Sequence, residues 1–133
     1  MFETKTNIKL HDTDAAGITF FANHYRIAHT AYEAFMKSIG CGLDWIIRDA
    51  EYFVLIAHSE ADYLRPLFYG DNLTINVKAE RLGSSSFTLV FNFRDGKGNE
   101  AAVVRTVHVA IDKKSGEKIE IPEKLRVGLS SLM

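Results

Sequence analysis

The chain has 133 residues, of which 47% are hydrophobic and 25% charged, with 16 basic and 17 acidic side chains for a net charge of -1. That is one domain's length and an ordinary globular composition, so a single domain over residues 1–133 with its own core is expected. The balance of charge argues against nucleic-acid binding, which needs a basic face to displace counterions from phosphates. A lone cysteine, Cys41, excludes an intrachain disulfide. With no apolar h-region in Met-Phe-Glu-Thr-Lys-Thr, a cytoplasmic protein is expected. No apolar run approaches the ~20 residues of a membrane span. Fifteen aromatic residues against two prolines stand out, because so many large rings in a short chain must be buried in a core, a partner or around a ligand.

In chain order, Phe2 to Leu10 alternates with Thr4, Thr6 and Ile8 on one side and reads as a strand. A polar segment closed by glycine, His11-Asp-Thr-Asp-Ala-Ala-Gly17, reads as a loop. From Asn23 the period becomes helical: Ala28, Ala31, Tyr32, Phe35 and Ile39 share a face, with Asn23 as N-cap and Gly40 or Gly42 as the stop. A short helix is expected over Leu43 to Ala50. Strands follow at Phe53 to Leu64, around Leu73, Ile75 and Val77, at Phe87 to Phe93, and from Glu100 to Ile111. Asp95-Gly-Lys-Gly98 is a hairpin turn, and a terminal helix is expected from Pro122 to Leu132, with the proline in its first turn. Strand, long helix, short helix and an antiparallel run make an α+β fold.

The chemistry concentrates in the polar segment before the long helix. Asp12 and Asp14 can serve there simply as turn residues that accept backbone N–H groups. A calcium loop is excluded: Ala16 stands at the fifth position and Asn23 at the twelfth, where a bidentate glutamate is required. A third reading is catalytic. A carboxylate just ahead of a helix start lies close to free N–H groups and the positive end of the helix dipole, an arrangement suited to acyl transfer. Gly17 lets backbone approach a ligand closely. The histidines His11, His24, His58 and His108 are scattered without ligand spacing, and no phosphate-binding glycine loop or serine elbow is present, so neither metal nor cofactor is expected.

The run Asp12-Thr-Asp-Ala-Ala-Gly-Ile-Thr-Phe-Phe-Ala-Asn-His-Tyr25 resembles the signature of the 4-hydroxybenzoyl-CoA thioesterase family. Ala61-Asp-Tyr-Leu-Arg-Pro-Leu-Phe-Tyr-Gly-Asp71 resembles that family's strand ending in Pro and Gly-Asp. The resemblance spans nearly the whole chain. It implies a hotdog fold, an antiparallel sheet wrapped around one long central helix from about Asn23 to Ile39, working as a homodimer or homotetramer. It further implies hydrolysis of an acyl-CoA thioester, with Asp14 as catalytic carboxylate and the Phe21 backbone N–H polarising the carbonyl. Phe20-Phe21 and the run His29-Thr-Ala-Tyr-Glu33 are closest in motif to the 1,4-dihydroxy-2-naphthoyl-CoA hydrolases, which points to an aromatic acyl group. Phe20, Phe21, Tyr25 and Phe35 are then candidates to stack on it, and His29 to reach a ring hydroxyl, against the alternative that these residues are plain core. Glu33, one turn beyond His29 and able to pair with it, is the other candidate acid; it stands far along the helix for that role and is read as a structural hydrogen-bonding residue. At the CoA end the family's basic loop is reduced here to Arg81-Leu-Gly-Ser-Ser-Ser-Phe87, leaving Arg81, Ser84, Ser85 and Ser86 as candidate phosphate ligands. The weak basicity keeps an acyl carrier protein open as thiol partner. The alternatives are a medium- or long-chain acyl thioesterase and a non-catalytic acyl-binding dimer.

Overall fold

In the computed structural model, which describes residues 1–133, five antiparallel strands form one sheet. They are β1 (Phe2–Asn7), β2 (Tyr52–Tyr63), β3 (Asn72–Leu82), β4 (Ser86–Asp95) and β5 (Glu100–Asp112), in the spatial order β1-β3-β4-β5-β2. Helices α1 (Asn23–Ser38), α2 (Leu43–Arg48) and α3 (Glu123–Ser130) complete an α+β architecture. The alternation of Phe87, Leu89, Phe91 and Phe93 buries all four on one face of β4, at 1% exposure or less. Opposite Phe91 and Phe93 on β5, Val104 and Ala102 leave room for the two rings. Helix α1 lays Ile27, Ala28, Ala31, Tyr32 and Phe35 onto this face, the spacing of an amphipathic helix. Phe35 meets the Phe2 ring edge-on at 5.7 Å.

Local signals fix the ends of α1. At its C-terminus the Gly40 N–H donates to Lys37 O and the Cys41 N–H to Met36 O, with Gly40 at φ +77°, a Schellman closure that glycine accommodates without strain. At its N-terminus the cap is Ala22, not Asn23. The Asn23 side chain instead donates to Asp12 O at 2.9 Å, because the first helical N–H groups already reach the carbonyls of Phe20, Phe21 and Ala22. Two other boundaries move. The first strand ends at Asn7, where Leu10–Asp12 turns into a single 3-10 turn. Pro122 caps α3 instead of lying inside it.

Strand β2 pairs only with β5, leaving its other edge free, and carries a bulge at Ala57, where the register slips between Ile56 and His58. The bulge reverses the alternation. Ile56 lies opposite His108 and Ser59 opposite Thr106, so two residues three apart come to the same face. No helix is long and apolar enough to cross a membrane.

Candidate functional site

The two aspartates of the polar segment have opposite surroundings. Asp12 is 3% exposed. Its carboxylate accepts the Lys9 N–H at 2.8 Å and pairs with the Arg26 guanidinium on α1. Burial alone would raise its pKa, but the Lys9 N–H and Arg26 outweigh that and hold the carboxyl below the usual range. Its carbonyl meanwhile accepts the Phe20 N–H at 2.9 Å. Asp12 therefore ties the end of β1, the segment Phe20–Asn23 and α1 together.

Asp14 is exposed. One carboxylate oxygen accepts the Ala16 N–H at 2.8 Å in an Asx turn, and the other has no partner within the chain. A tight turn closed by Gly17 N–H to Asp14 O, with Gly17 at φ +77° and open space where a Cβ would project, holds the residue out of the loop. Gly17 O and Thr19 N–H bond to Tyr69 and Leu67, which fixes this turn against the segment after β2.

Asp14 lines a cleft of about 350 Å³ with Thr19, Phe21, His24, Tyr63 and Arg65. Within it, the Phe21 carbonyl accepts both the His24 Nδ1–H at 3.0 Å and the Tyr63 hydroxyl at 3.1 Å. The Phe20 carbonyl accepts the Asn23 N–H at 2.9 Å. In a trans peptide the N–H points opposite to the preceding carbonyl. With the Phe20 and Phe21 carbonyls turned into the helix, the N–H groups of Phe21 and Ala22 point out of its N-terminus, and neither has a partner within the chain. An exposed carboxylate and a residue with a free N–H, Phe21, thus line one cleft.

His24 and Tyr63 were not singled out by spacing. His24 is 5% exposed, stacked on Phe93 at 5.8 Å and edge-on to Tyr63 at 4.8 Å. Burial lowers its pKa against the opposing effect of the backbone carbonyls it meets, so the ring is neutral and donates from Nδ1. No local pattern marks the tyrosine, which comes from 42 residues away.

The remaining candidates divide. Phe20 packs on Phe21 with centroids 4.7 Å apart, both rings exposed. Phe35 is not an acyl-stacking ring: at 1% exposure against Phe2 it belongs to the core. Tyr25 and His29 line a second cavity, of about 280 Å³, between α1 and β2. His29 Nδ1 lies 3.7 Å from Glu33, a surface pair in which both side chains are about half exposed. Arg81, Ser84, Ser85 and Ser86 cluster at the β3–β4 hairpin. Counted along β4 from Phe93, that hairpin is about 25 Å from the Asp14 cleft at ~3.3 Å per residue. There the Gly83 and Ser84 carbonyls accept Arg126, and those of Ser84 and Ser85 accept the N–H groups of Ile121 and Ala110. The N–H groups and hydroxyls of Ser84 and Ser85 stay unpaired. No group of three or more His, Cys, Asp or Glu side chains converges to hold a metal ion.

The model of the thioesterase-like superfamily matches residues 8–129. The chain belongs to that superfamily. Among its relatives, the 1,4-dihydroxy-2-naphthoyl-CoA hydrolase of Gloeothece citriformis is 36% identical over 118 residues, covering 87% of this chain and 82% of the relative. That of Rippkaea orientalis is 34% identical over 126 residues, covering 93% and 91%. The crystal structure of a 1,4-dihydroxy-2-naphthoyl-CoA thioesterase from Synechocystis superposes with a TM-score of 0.92 over 98% of this chain and 96% of that one, at 24% identity. A gentisyl-coenzyme A thioesterase superposes with a TM-score of 0.86 over 96% and 99%, at 26% identity. This superfamily's hotdog fold accounts for the order of elements seen here.

Proposed function

We propose that this protein hydrolyses an aromatic acyl-CoA thioester, with 1,4-dihydroxy-2-naphthoyl-CoA as the first candidate, using Asp14 as its catalytic carboxylate. The observation that carries the reading is that one cleft is lined both by that exposed carboxylate and by Phe21, whose backbone N–H is free. The thioester oxygen docks on the Phe21 N–H, a donor worth ~3–4 kcal/mol to the developing oxyanion in comparable sites. Asp14 either takes a proton from an attacking water or itself attacks the carbonyl carbon. The C–S bond then breaks and CoA leaves as thiolate, with no further acid required. Water attack gives the free acid directly, whereas attack by Asp14 leaves a mixed anhydride that a water then cleaves to release the acid and restore the carboxylate. Gly17 keeps the turn beside the carbonyl slim, and Phe20 with Tyr25 offers flat surfaces to the acyl group. His29 stands where it can reach a ring hydroxyl. The names of the relatives support the naphthoyl group, and the gentisyl-coenzyme A thioesterase keeps hydroxybenzoyl esters as the second candidate.

On this reading residues 1–133 are one hotdog domain whose sheet wraps α1. Its working unit is a homodimer joined through the free edge of β2, where Phe53, Leu55 and Ile56 are exposed over a twelve-residue strand. Arg81 and the unpaired donors of Ser84 and Ser85, with Ser86, hold the CoA phosphates. An acyl carrier protein is the alternative thiol partner. The test is steady-state thiol release from naphthoyl-, hydroxybenzoyl- and straight-chain acyl-CoA, with sedimentation to give the assembly. No release from any ester refutes the function, and equal rates on all refute the aromatic preference. Hydrolysis in ¹⁸O-water over many turnovers then separates attack by Asp14, which places label in its carboxylate when water opens the anhydride at the aspartyl carbonyl, from base catalysis, which does not.

A further inference from the structure

The second cavity has a polar floor that the proposed hydrolysis at Asp14 does not use. Its floor is Tyr32, Phe91, Thr106 and His108, all buried, and its rim is Tyr25, His29, Ile56 and Ser59. Only three buried side-chain polar atoms in the chain lack a hydrogen-bond partner. Two of them, His108 Nδ1 and Tyr32 Oη, belong to this floor. His108 is 1% exposed. Its Nε2 lies 2.7 Å from Thr106 Oγ1. Its ring is clamped between Phe87, nearly parallel at 4.8 Å, and Tyr32, stacked at 4.7 Å. A ring held on both faces cannot swing to find a partner for Nδ1, and an unpaired buried polar atom is costly unless something arrives to pair it.

The character of that group follows from the imidazole. Burial, reinforced by the nearby His29, pushes the His108 pKa down to about 3, so the ring is neutral. A neutral imidazole suits an uncharged partner over a carboxylate. It presents Nδ1 as donor or acceptor according to the Thr106 bond, and a hydroxyl answers either. The volume of about 280 Å³ lies at the small end of ligand pockets, the size for one or two fused rings. The cavity also adjoins the first cleft. Phe93 under His24 is two residues along β4 from Phe91, ~7 Å, and Tyr25 follows His24 directly on α1. The bulge at Ala57 completes it, since without the slip Ile56 and Ser59 would face opposite sides.

Resting on the proposed thioester hydrolysis, we infer that this cavity seats the acyl ring and that His108, oriented by Thr106, reads a hydroxyl on it, so that these two residues set the acyl specificity. The experiment measures kcat/KM for matched esters, 2-naphthoyl-CoA against its ring-hydroxylated forms and benzoyl-CoA against 4-hydroxybenzoyl-CoA. The wild type is expected to favour a hydroxylated ester by ~10–100-fold, the effect of one buried hydrogen bond. His108→Phe, which keeps the stack and removes Nδ1, should bring that ratio to within about twofold of one. Thr106→Val, close to isosteric, should reduce it as well and provides the reading if His108→Phe fails to fold. Inhibition by the matched free acids is the second readout, and the preference for the hydroxylated acid should disappear in step. A wild type that hydrolyses both members of each pair equally, or a ratio untouched in the variants, overturns the inference and leaves the hydrolysis standing. Absence of hydrolysis on every ester fails the earlier reading instead.

Discussion

Asp12 and Asp14 stand two residues apart in one loop, and their substitutions should separate stability from turnover. Asp12→Asn keeps one oxygen for the Lys9 N–H but removes the charge facing Arg26 and sets an amide against it. A hydrogen bond to a buried charged group is worth ~1.5–3 kcal/mol. The Arg26 side chain is 50% exposed, so its share is screened and adds at most ~1 kcal/mol. A net loss of about 2 kcal/mol is expected, or roughly 6–10 °C in Tm for a chain this long. The loss has a pH signature. Because the folded carboxyl titrates below its usual 3.8, its stabilisation is complete above about pH 5 and fades as pH falls through 3.8 and then through the folded pKa. The gap between wild type and Asp12→Asn should therefore close in acid. Asp14→Asn keeps the Asx turn, since its amide oxygen can accept the Ala16 N–H, so stability should stay within about 0.5 kcal/mol. Thiol release should fall at least ~100-fold. Thermal unfolding followed by circular dichroism between pH 3 and 7, beside thiol release at pH 7, reads both. An Asp14→Asn enzyme within tenfold of wild type, or an Asp12→Asn chain of unchanged Tm, would refute the division of labour.

Tyr63→Phe removes the 3.1 Å bond to the Phe21 carbonyl, and kcat should drop by about three- to tenfold with Tm nearly unmoved, as rate and melting measurements would show. Gly128→Ala gains about 1 kcal/mol of helix propensity but places its Cβ 2.5 Å from Ile39 Cδ1 and 2.9 Å from Ile39 Cβ. Overpacking should win by about 1 kcal/mol in denaturant titrations, and Ile39→Val in the same chain should recover part of it. Cys41 is fully buried, and burial pushes its thiol pKa up against the pull of Lys124. It should react with an aromatic disulfide reagent only at the rate of unfolding, and fast labelling of the native protein would contradict the core packing.

Much of the fold was legible in the chain. The period of 3.6 around Ala28, Ala31, Tyr32 and Phe35 defined α1, and the alternation of Phe87, Leu89, Phe91 and Phe93 defined the buried face of β4. Those patterns report burial, and burial was the dominant force at both places. The cap of α1 was misplaced because Asn23 had a competing acceptor, the Asp12 carbonyl, that no local rule contains. Phe35 looked like a pocket ring for a similar reason: spacing says that a ring is buried, not what covers it.

The sequence by itself determined the elements, their order, the superfamily signature and the pair of aspartates, because each is written in short-range pattern. Which aspartate is free was decided by the tertiary structure, since the answer depends on Arg26 from the helix and Lys9 from the strand end. So were the Tyr63 brace on Phe21, the slip at Ala57 that aligns Ile56 with Ser59, and the enclosure of His108 between Tyr32 and Phe87. The brace and the enclosure join residues tens of positions apart, and the slip exists only in the pairing of β2 with the distant β5, so only packing sets them.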